Sequence, residues 1–323
     1  MTAVGLVADI GGTNARFALV DLDSPTPRLH DMKALRGSDY ASLHEACAHY
    51  LDGVQATPSH AAFAIASPIK GDDEVRMTNR AWSFRRSELE RALGLEHLCV
   101  LNDFGAVARA IPALTADDVV PLYGATSLPP ASPVTVMGPG TGLGVALLLG
   151  DATRGWQVIE TEGGHATFAP IDDEDRRIVA RIDALYGRTS NERVLCGEGL
   201  ARIDAVLRDA GGDALREPAD IVRLATEGED DSARRALARF CAILGSVCGD
   251  ITLTHGAHAL MIAGGIVPRF VPFLRGSAFR ERFLAKGRFA AYVENVAIHV
   301  VTHPQPGLLG AAAALRDRLE HTR

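Results

Sequence analysis

The chain has 323 residues, 47% of them hydrophobic and 23% charged, ordinary for a globular protein with apolar material for one core or two. A net charge of -7 gives no electrostatic reason to expect nucleic acid or an anionic membrane as a partner. No stretch approaches the roughly 20 apolar residues of a membrane span, the N-terminus lacks the basic region of a signal peptide, and Cys47, Cys99, Cys196, Cys241 and Cys248 form no CxxC, which fits a reduced cytoplasmic compartment without disulfides or a zinc site.

In chain order, Val4–Asp9 is a short apolar run, broken by Gly11-Gly12-Thr13-Asn14 and followed by a second run, Arg16–Leu22, before a turn at Ser24-Pro25-Thr26-Pro27. This is strand, glycine turn, strand, not the strand, loop, helix order of a P-loop or Rossmann unit. Helical spacing is expected over 42–51 and 87–93, and Leu98–Leu101 is an apolar strand leading into a helical stretch, 104–111. The opening pattern then returns. Val134–Met137 is apolar, Gly138-Pro139-Gly140-Thr141-Gly142 is the turn, and Leu143–Leu149 is apolar again. Two such hairpins half a chain apart predict an internal duplication. Trp156–Ile159 is a further strand. Helices are expected over 175–186, 231–251 and 308–319, the last beginning after Pro306-Gly307. The acidic stretch 227–231 reads as a solvated loop, and Gly264-Gly265 forms a third glycine turn after Ala259–Ala263.

The chemistry concentrates at four places. In Asp9-Ile10-Gly11-Gly12-Thr13-Asn14, glycines let successive N–H groups converge on a phosphate, Thr13 and Asn14 add donors, and Asp9 is placed to hold a metal-bound water. Alone this is also an ordinary hairpin turn. Its recurrence as GPGTGLG, six glycines and two threonines between the two, exceeds what a hairpin needs and favours a pair of phosphate clamps. Asn102-Asp103, between strand and helix, suits a ligand site at a strand's carboxyl end and equally an N-cap. Glu162-Gly163-Gly164-His165 presents an acceptor and a donor/acceptor on one tight loop, as sugar hydroxyls require, yet also reads as a glycine turn with a solvated Glu. Glu192 completes Thr189-Ser190-Asn191-Glu192, which by spacing is a capping box.

Together and in this order, these stretches resemble the bacterial glucokinase family of the hexokinase/actin superfamily. The matching segments are DIGGTNAR, MTNRAWSF at 77–84, LNDFGAVA at 101–108, GPGTGLGVA at 138–146, EGGHATFAP at 162–170, ERVLCGEGL at 192–200, AGGIVPRF at 263–270 and PGLLGAAAAL at 306–315, spread from end to end.

The resemblance implies an α/β, duplicated actin/hexokinase (ribonuclease H-like) fold of two domains with the active-site cleft between them. Residues 1–112 plus 304–323 would form the smaller α/β domain and 113–303 the larger α+β domain. It implies transfer of the γ-phosphoryl group of ATP, with Mg2+, to the 6-hydroxyl of glucose, in a cytoplasmic enzyme that is commonly a homodimer. By similarity of position, Asp103 is the catalytic base, and Asn102, Asp103, Glu162, His165 and Glu192 contact glucose. Ala8, Asp9, Ile10, Gly11, Gly12, Thr13 and Asn14, with Gly138, Gly140, Thr141 and Gly142, form the phosphate elements, Asp9 holding magnesium through water. Gly264 and Gly265 belong to the adenosine element. A related group of sugar kinases and repressors carries a cysteine-rich zinc motif after the EGGH-like loop. Residues 170–195 contain no cysteine, and the sequence opens at the phosphate-binding strand without room for a helix-turn-helix, so the non-zinc kinases are the expected group. A kinase for another hexose or amino sugar, or a catalytically weak sugar-sensing regulator, is the alternative.

Overall fold

The computed structural model describes residues 4–24, 27–67, 69, 71–77, 82–209 and 214–320. Pro25 and Thr26 of the first expected turn, and residues 78–81 of the MTNRAWSF stretch, lie outside them. The chain divides into two units, Met1–Leu114 with His303–Arg323, and Thr115–Thr302.

The first unit runs β1 (Val4–Ile10), β2 (Asn14–Asp21), β3 (Leu29–Arg36), α1 (Leu43–Val54), β4 (His60–Ile65), β5 (Glu74–Arg76), β6 (Ser83–Arg85), α2 (Arg86–Leu93), β7 (His97–Asn102) and α3 (Asp103–Ala110), and closes with the C-terminal helix, Pro306–Glu320. Its main sheet has the order β3-β2-β1-β4-β7. β1 to β3 form an antiparallel meander, and β4 and β7 add in parallel. Both faces are covered, so β1 reads as a continuous apolar run and not as an alternation. One face packs Leu6, Ala8, Ile10 and Phe17 with Leu43 and Tyr50 of α1 and Leu89 of α2. The other packs Val7, Ala18, Ala62 and Ala64 with Ala106 of α3 and Leu308 and Leu315 of the C-terminal helix. That helix begins at Pro306, two residues earlier than its apolar spacing suggests, because proline at the first helical position gives up an N–H that no helical bond needs.

The second unit contains β8 (Val119–Tyr123), β9 (Val134–Pro139), β10 (Leu143–Asp151), β11 (Gly155–Thr161), α4 (Asp173–Tyr186), α5 (Asn191–Val194), α6 (Gly197–Leu207), α7 (Pro218–Glu227), α8 (Asp231–His255), β12 (Ala259–Ile262), α9 (Val271–Arg275), α10 (Phe279–Leu284), α11 (Ala290–Glu294) and β13 (Ala297–Val301). Its sheet order is β11-β10-β9-β12-β13-β8. Counting from β9, the first five strands repeat the third-second-first-fourth-fifth order of the first unit, with the same antiparallel and parallel pairings. The duplicated hairpins are therefore the opening strands of two topologically equivalent sheets; β8 is an antiparallel addition at one edge.

Local rules account for most helix starts. Ser42 caps α1 through the Glu45 N–H, Asp172 caps α4 through Asp175, and Asp230 caps α8 through Ser232 and Ala233, each a side-chain oxygen satisfying an orphan donor. The acidic stretch 227–231 is thus not simply a solvated loop. Glu227 ends α7, Asp231 begins α8, and Asp230 also accepts from Arg216 Nη1 at 2.6 Å. A second correction concerns α8, whose 25 residues are long and apolar enough to cross a membrane by length and composition. Its Ala, Gly, Cys and Leu residues instead pack among α6, α7 and α10 as the central helix of this unit's core.

Candidate functional site

In the first unit, the β1–β2 turn closes through a bond from Gly11 N–H to the Asn14 carbonyl, 3.0 Å, leaving Gly12 and Thr13 exposed. Asp9 lies one residue before the end of β1, directly across from Arg16 on β2, whose Nη1 stands 3.4 Å from Asp9 Oδ2. Burial lifts the Asp9 carboxyl above its ordinary range, Arg16 opposes the rise, and the nearby charge of Asp103 adds to it. Ala8 and Ile10 behave differently from Asp9. Their side chains are fully buried in the core, with β1 paired on both sides there, so they support the turn from behind.

Asn102 ends β7 and caps α3. Its Oδ1 accepts from the N–H groups of Phe104 (2.9 Å) and Gly105 (3.0 Å), and its Nδ2 donates to the Ser67 carbonyl at 3.3 Å. The capping role is therefore real and occupies the acceptor, leaving only an amide proton for a ligand. Asp103 follows as the first residue of α3, half-buried, with Oδ1 accepting its neighbour Phe104's N–H at 2.8 Å. Strand end and helix start together hold this carboxylate on the same sheet edge as Asp9.

Sequence reasoning missed what the C-terminal helix does here. Gly307, in its first turn, leaves little room for a Cβ, which would lie 3.0 Å from Asp9 Cγ and 3.1 Å from Oδ2. That helix N-terminus thus abuts the Asp9 carboxylate, a favourable electrostatic arrangement. At Gly310, a Cβ would lie 2.5 Å from the Ala106 carbonyl carbon in α3. No local pattern could have signalled either contact, since the partners lie 298 and 204 residues away along the chain.

In the second unit the glycine turn is tighter than expected. Gly138 and Pro139 are strand residues, paired with Gly144 and Leu143, and the turn proper is Gly140-Thr141-Gly142, closed by Gly140 N–H to the Gly142 carbonyl at 2.8 Å. Gly264, at φ +87, packs on this hairpin so closely that its Cβ would strike the Pro139 carbonyl, whereas a Cβ on Gly265 would meet open space. The AGGIV segment and the hairpin that carries the Gly140-Thr141-Gly142 turn are therefore neighbours.

Glu162, His165 and Glu192 also come together. His165 Nε2 is 3.7 Å from Glu162 Oε2, and its Nδ1 is 3.8 Å from Glu192 Oε1. The His165 and Glu162 side chains are more than half exposed, at 57% and 67%, while Glu192 is 28% exposed. The capping-box expectation for Glu192 fails by one residue. Ser190, not Thr189, caps α5, accepting the Arg193 N–H. The third helical position is then Arg193, and the Glu192 carboxylate turns away to accept the Leu143 N–H at 2.9 Å. Two supports had no sequence signal. Arg188 Nη1 donates to the His165 carbonyl at 3.0 Å and to Thr167 Oγ1 at 3.2 Å, and Asn191 Nδ2 donates to the Gly163 carbonyl at 3.4 Å. A trio of two carboxylates and an imidazole, held by such a frame, offers paired donors and acceptors of the kind that grip vicinal hydroxyls.

Comparison with known proteins agrees with this chemistry. A family model described as Glucokinase matches residues 6–318. The chain is 43% identical over 325 residues to the glucokinase of Yersinia enterocolitica serotype O:8 / biotype 1B, covering 100% of this chain and 99% of that relative. Among solved structures, a glucokinase from an Antarctic psychrotroph superposes with a TM-score of 0.84 at 36% identity, covering 98% of this chain and 100% of the other. A glucokinase from Balamuthia mandrillaris, solved in complex with glucose, shares the fold with a TM-score of 0.81 at 23% identity, covering 98% and 94%.

Proposed function

The chain belongs to the glucokinase family, and from that premise we propose how its residues divide the work of ATP-dependent glucose phosphorylation. The reaction passes through a loose transition state, so positioning and charge stabilisation carry most of the catalysis. Asp103 takes the proton of the glucose 6-hydroxyl as the phosphoryl group arrives. Its place at a strand end beside Asp9 supports this role. Glu162, His165 and Glu192 hold the sugar hydroxyls, with Asn102 adding an amide proton. The observation that carries the sugar reading is the convergence of two carboxylates, Glu162 and Glu192, on the His165 imidazole, the second of them from 27 residues further along the chain.

Gly11 to Asn14 and Gly140 to Gly142 take the phosphates through backbone N–H groups, and Gly264-Gly265 lies against adenosine. Asp9 fits the magnesium. Among the described residues no cluster of three or more His, Cys, Asp or Glu could cage a metal, and magnesium is held by one or two carboxylates plus substrate phosphates. The carboxyl of Asp9 is pushed upward chiefly by burial, with the charge of Asp103 adding to the rise and Arg16 opposing it; a divalent cation would favour its ionised form. When bound, the ion neutralises charge on the phosphates.

Residues assigned to the sugar fall in both units, so this reading calls for them to close around it, with sugar-free ATP hydrolysis far slower than transfer. Small-angle scattering with and without glucose tests the motion. We assign the enzyme to the cytoplasm, supported by five free cysteines, and to a homodimer on family likeness; sedimentation tests the latter. The base assignment is tested with Asp103→Asn, which keeps shape and removes the base. It is expected to lower kcat at least about 100-fold with glucose affinity retained; wild-type kcat would refute it.

A further inference from the structure

The stretch from the start of α5 to the first residue of α6 touches both loops of the second unit's site. Asn191 N–H donates to the Ala166 carbonyl at the end of the sugar loop, 2.9 Å, and Gly197 N–H donates to the Gly140 carbonyl of the phosphate turn, 3.0 Å. Between them Glu192 faces both ways. Its Oε2 accepts the Leu143 N–H immediately after the turn, while its Oε1 looks toward His165. The turn is shaped around this carboxylate: Gly142 has no side chain, and a Cβ there would overlap Glu192 Oε2. The sugar loop presses on Leu143, the donor to Glu192, for a Cβ on Gly164 would strike the Leu143 carbonyl.

We infer that Glu192 is a positioning residue for the second phosphate turn as well as a sugar ligand, so that one carboxylate couples the sugar and nucleotide sites. This rests on the proposed roles of the two loops. Physically, a carboxylate that accepts a backbone N–H and meets a ligand through its other oxygen cannot shift for one without moving the other. Sugar seated against Oε1 fixes the rotamer that presents Oε2 to Leu143, and the turn is then held in its nucleotide-binding form. A gain in sugar affinity when nucleotide is bound follows by reciprocity.

The test uses the full-length protein, calorimetry and three variants. The probes are glucose alone and a non-hydrolysable ATP analogue with magnesium and no sugar. Glu192→Ala is expected to weaken the nucleotide analogue about tenfold, as the loss of a bond to a charged acceptor implies, and to weaken glucose as well. Glu192→Gln keeps an oxygen for the Leu143 N–H, so its nucleotide affinity is expected to stay near wild type while glucose affinity falls. Gly142→Ala pushes the same carboxylate from the other side and is expected to weaken both ligands even if Glu192→Ala folds poorly, which melting temperatures report. Wild-type nucleotide affinity in Glu192→Ala and Gly142→Ala would overturn the positioning role. Weakened nucleotide with unchanged glucose in Glu192→Ala would overturn the coupling, by showing that the sugar assignment itself is wrong. Equal nucleotide loss in Glu192→Gln and Glu192→Ala would also overturn it, since the rescue is specific to the acceptor.

Discussion

The contact between α3 and the C-terminal helix makes Gly310 a sensitive probe of how Asp103 is held. A Cβ at 310 would lie 2.5 Å from the Ala106 carbonyl carbon and 3.1 Å from its Cα, and still nearer the carbonyl oxygen, where real Cβ contacts below 3.0 Å essentially never occur. The obstacle is helix backbone, so no rotamer change relieves it. With Gly310→Ala the two helices must part by about 1 Å, a displacement that in an active site costs on the order of 100-fold in rate. Overpacking of this kind costs about 1–3 kcal/mol of stability, offset in part by the better helix propensity of alanine, about 1 kcal/mol. Asp103 opens α3 one turn before Ala106, so the displacement reaches the proposed base directly, while Glu162, His165 and Glu192 lie in the other unit. The expected signature is therefore a fall in kcat with a far smaller change in the glucose Kd. A coupled assay with glucose and ATP gives the first, calorimetry the second, and thermal melting shows that the variant is folded. A folded Gly310→Ala protein with wild-type kcat would refute both the rigidity of this contact and its bearing on the base.

Other expectations concern the second unit. Arg239 spans Asp172 (2.7 Å), Glu174 (2.6 Å) and the fully buried Asp175 (3.1 Å), with Arg282 on the far side of Asp175. Arg239→Ala removes one of the two guanidiniums that pair the buried Asp175 and is expected to cost about 3 kcal/mol, read as a drop in melting temperature; Arg239→Met should lose nearly as much, and full stability in the methionine variant would count against the charge. For Asp172, burial pushes its carboxyl upward, but the Asp175 N–H, Arg239 and Arg282 outweigh it and hold the carboxyl down to about 2. A depressed folded value contributes stability above the unfolded value of about 3.9 and loses it as pH falls toward 2. Chemical denaturation from pH 5 to pH 2 is expected to show that loss, and a flat profile would contradict it. Gly264→Ala forces a left-handed backbone and a clash with Pro139, so nucleotide affinity and melting temperature should both fall; a neutral outcome would separate this loop from the phosphate turn.

Much of the fold was legible locally. The two glycine hairpins, 129 residues apart from Gly11 to Gly140, carry their own turn chemistry, and sequence alone identified them as duplicates; the matching strand orders follow from that. Ser42, Asp172 and Asp230 stand where caps belong, and Asn102-Asp103 sits at a strand-to-helix junction whichever role it takes. Glu192 shows the limit. Its spacing from Thr189 satisfies the capping-box rule, yet a one-residue shift in where α5 starts sends the carboxylate to Leu143, 49 positions away. Gly142 likewise reads as a phosphate glycine, and only packing shows that its missing side chain also makes room for Glu192. Gly307 against Asp9, Gly310 against Ala106 and Arg188 against the His165 carbonyl were invisible for the same reason. Periodicity and capping are set by neighbours within one turn of the chain and leave their mark in sequence. Contacts between distant segments depend on sheet order and helix docking, which many sequences can satisfy, so no spacing rule encodes them and only the tertiary structure decides which backbones meet.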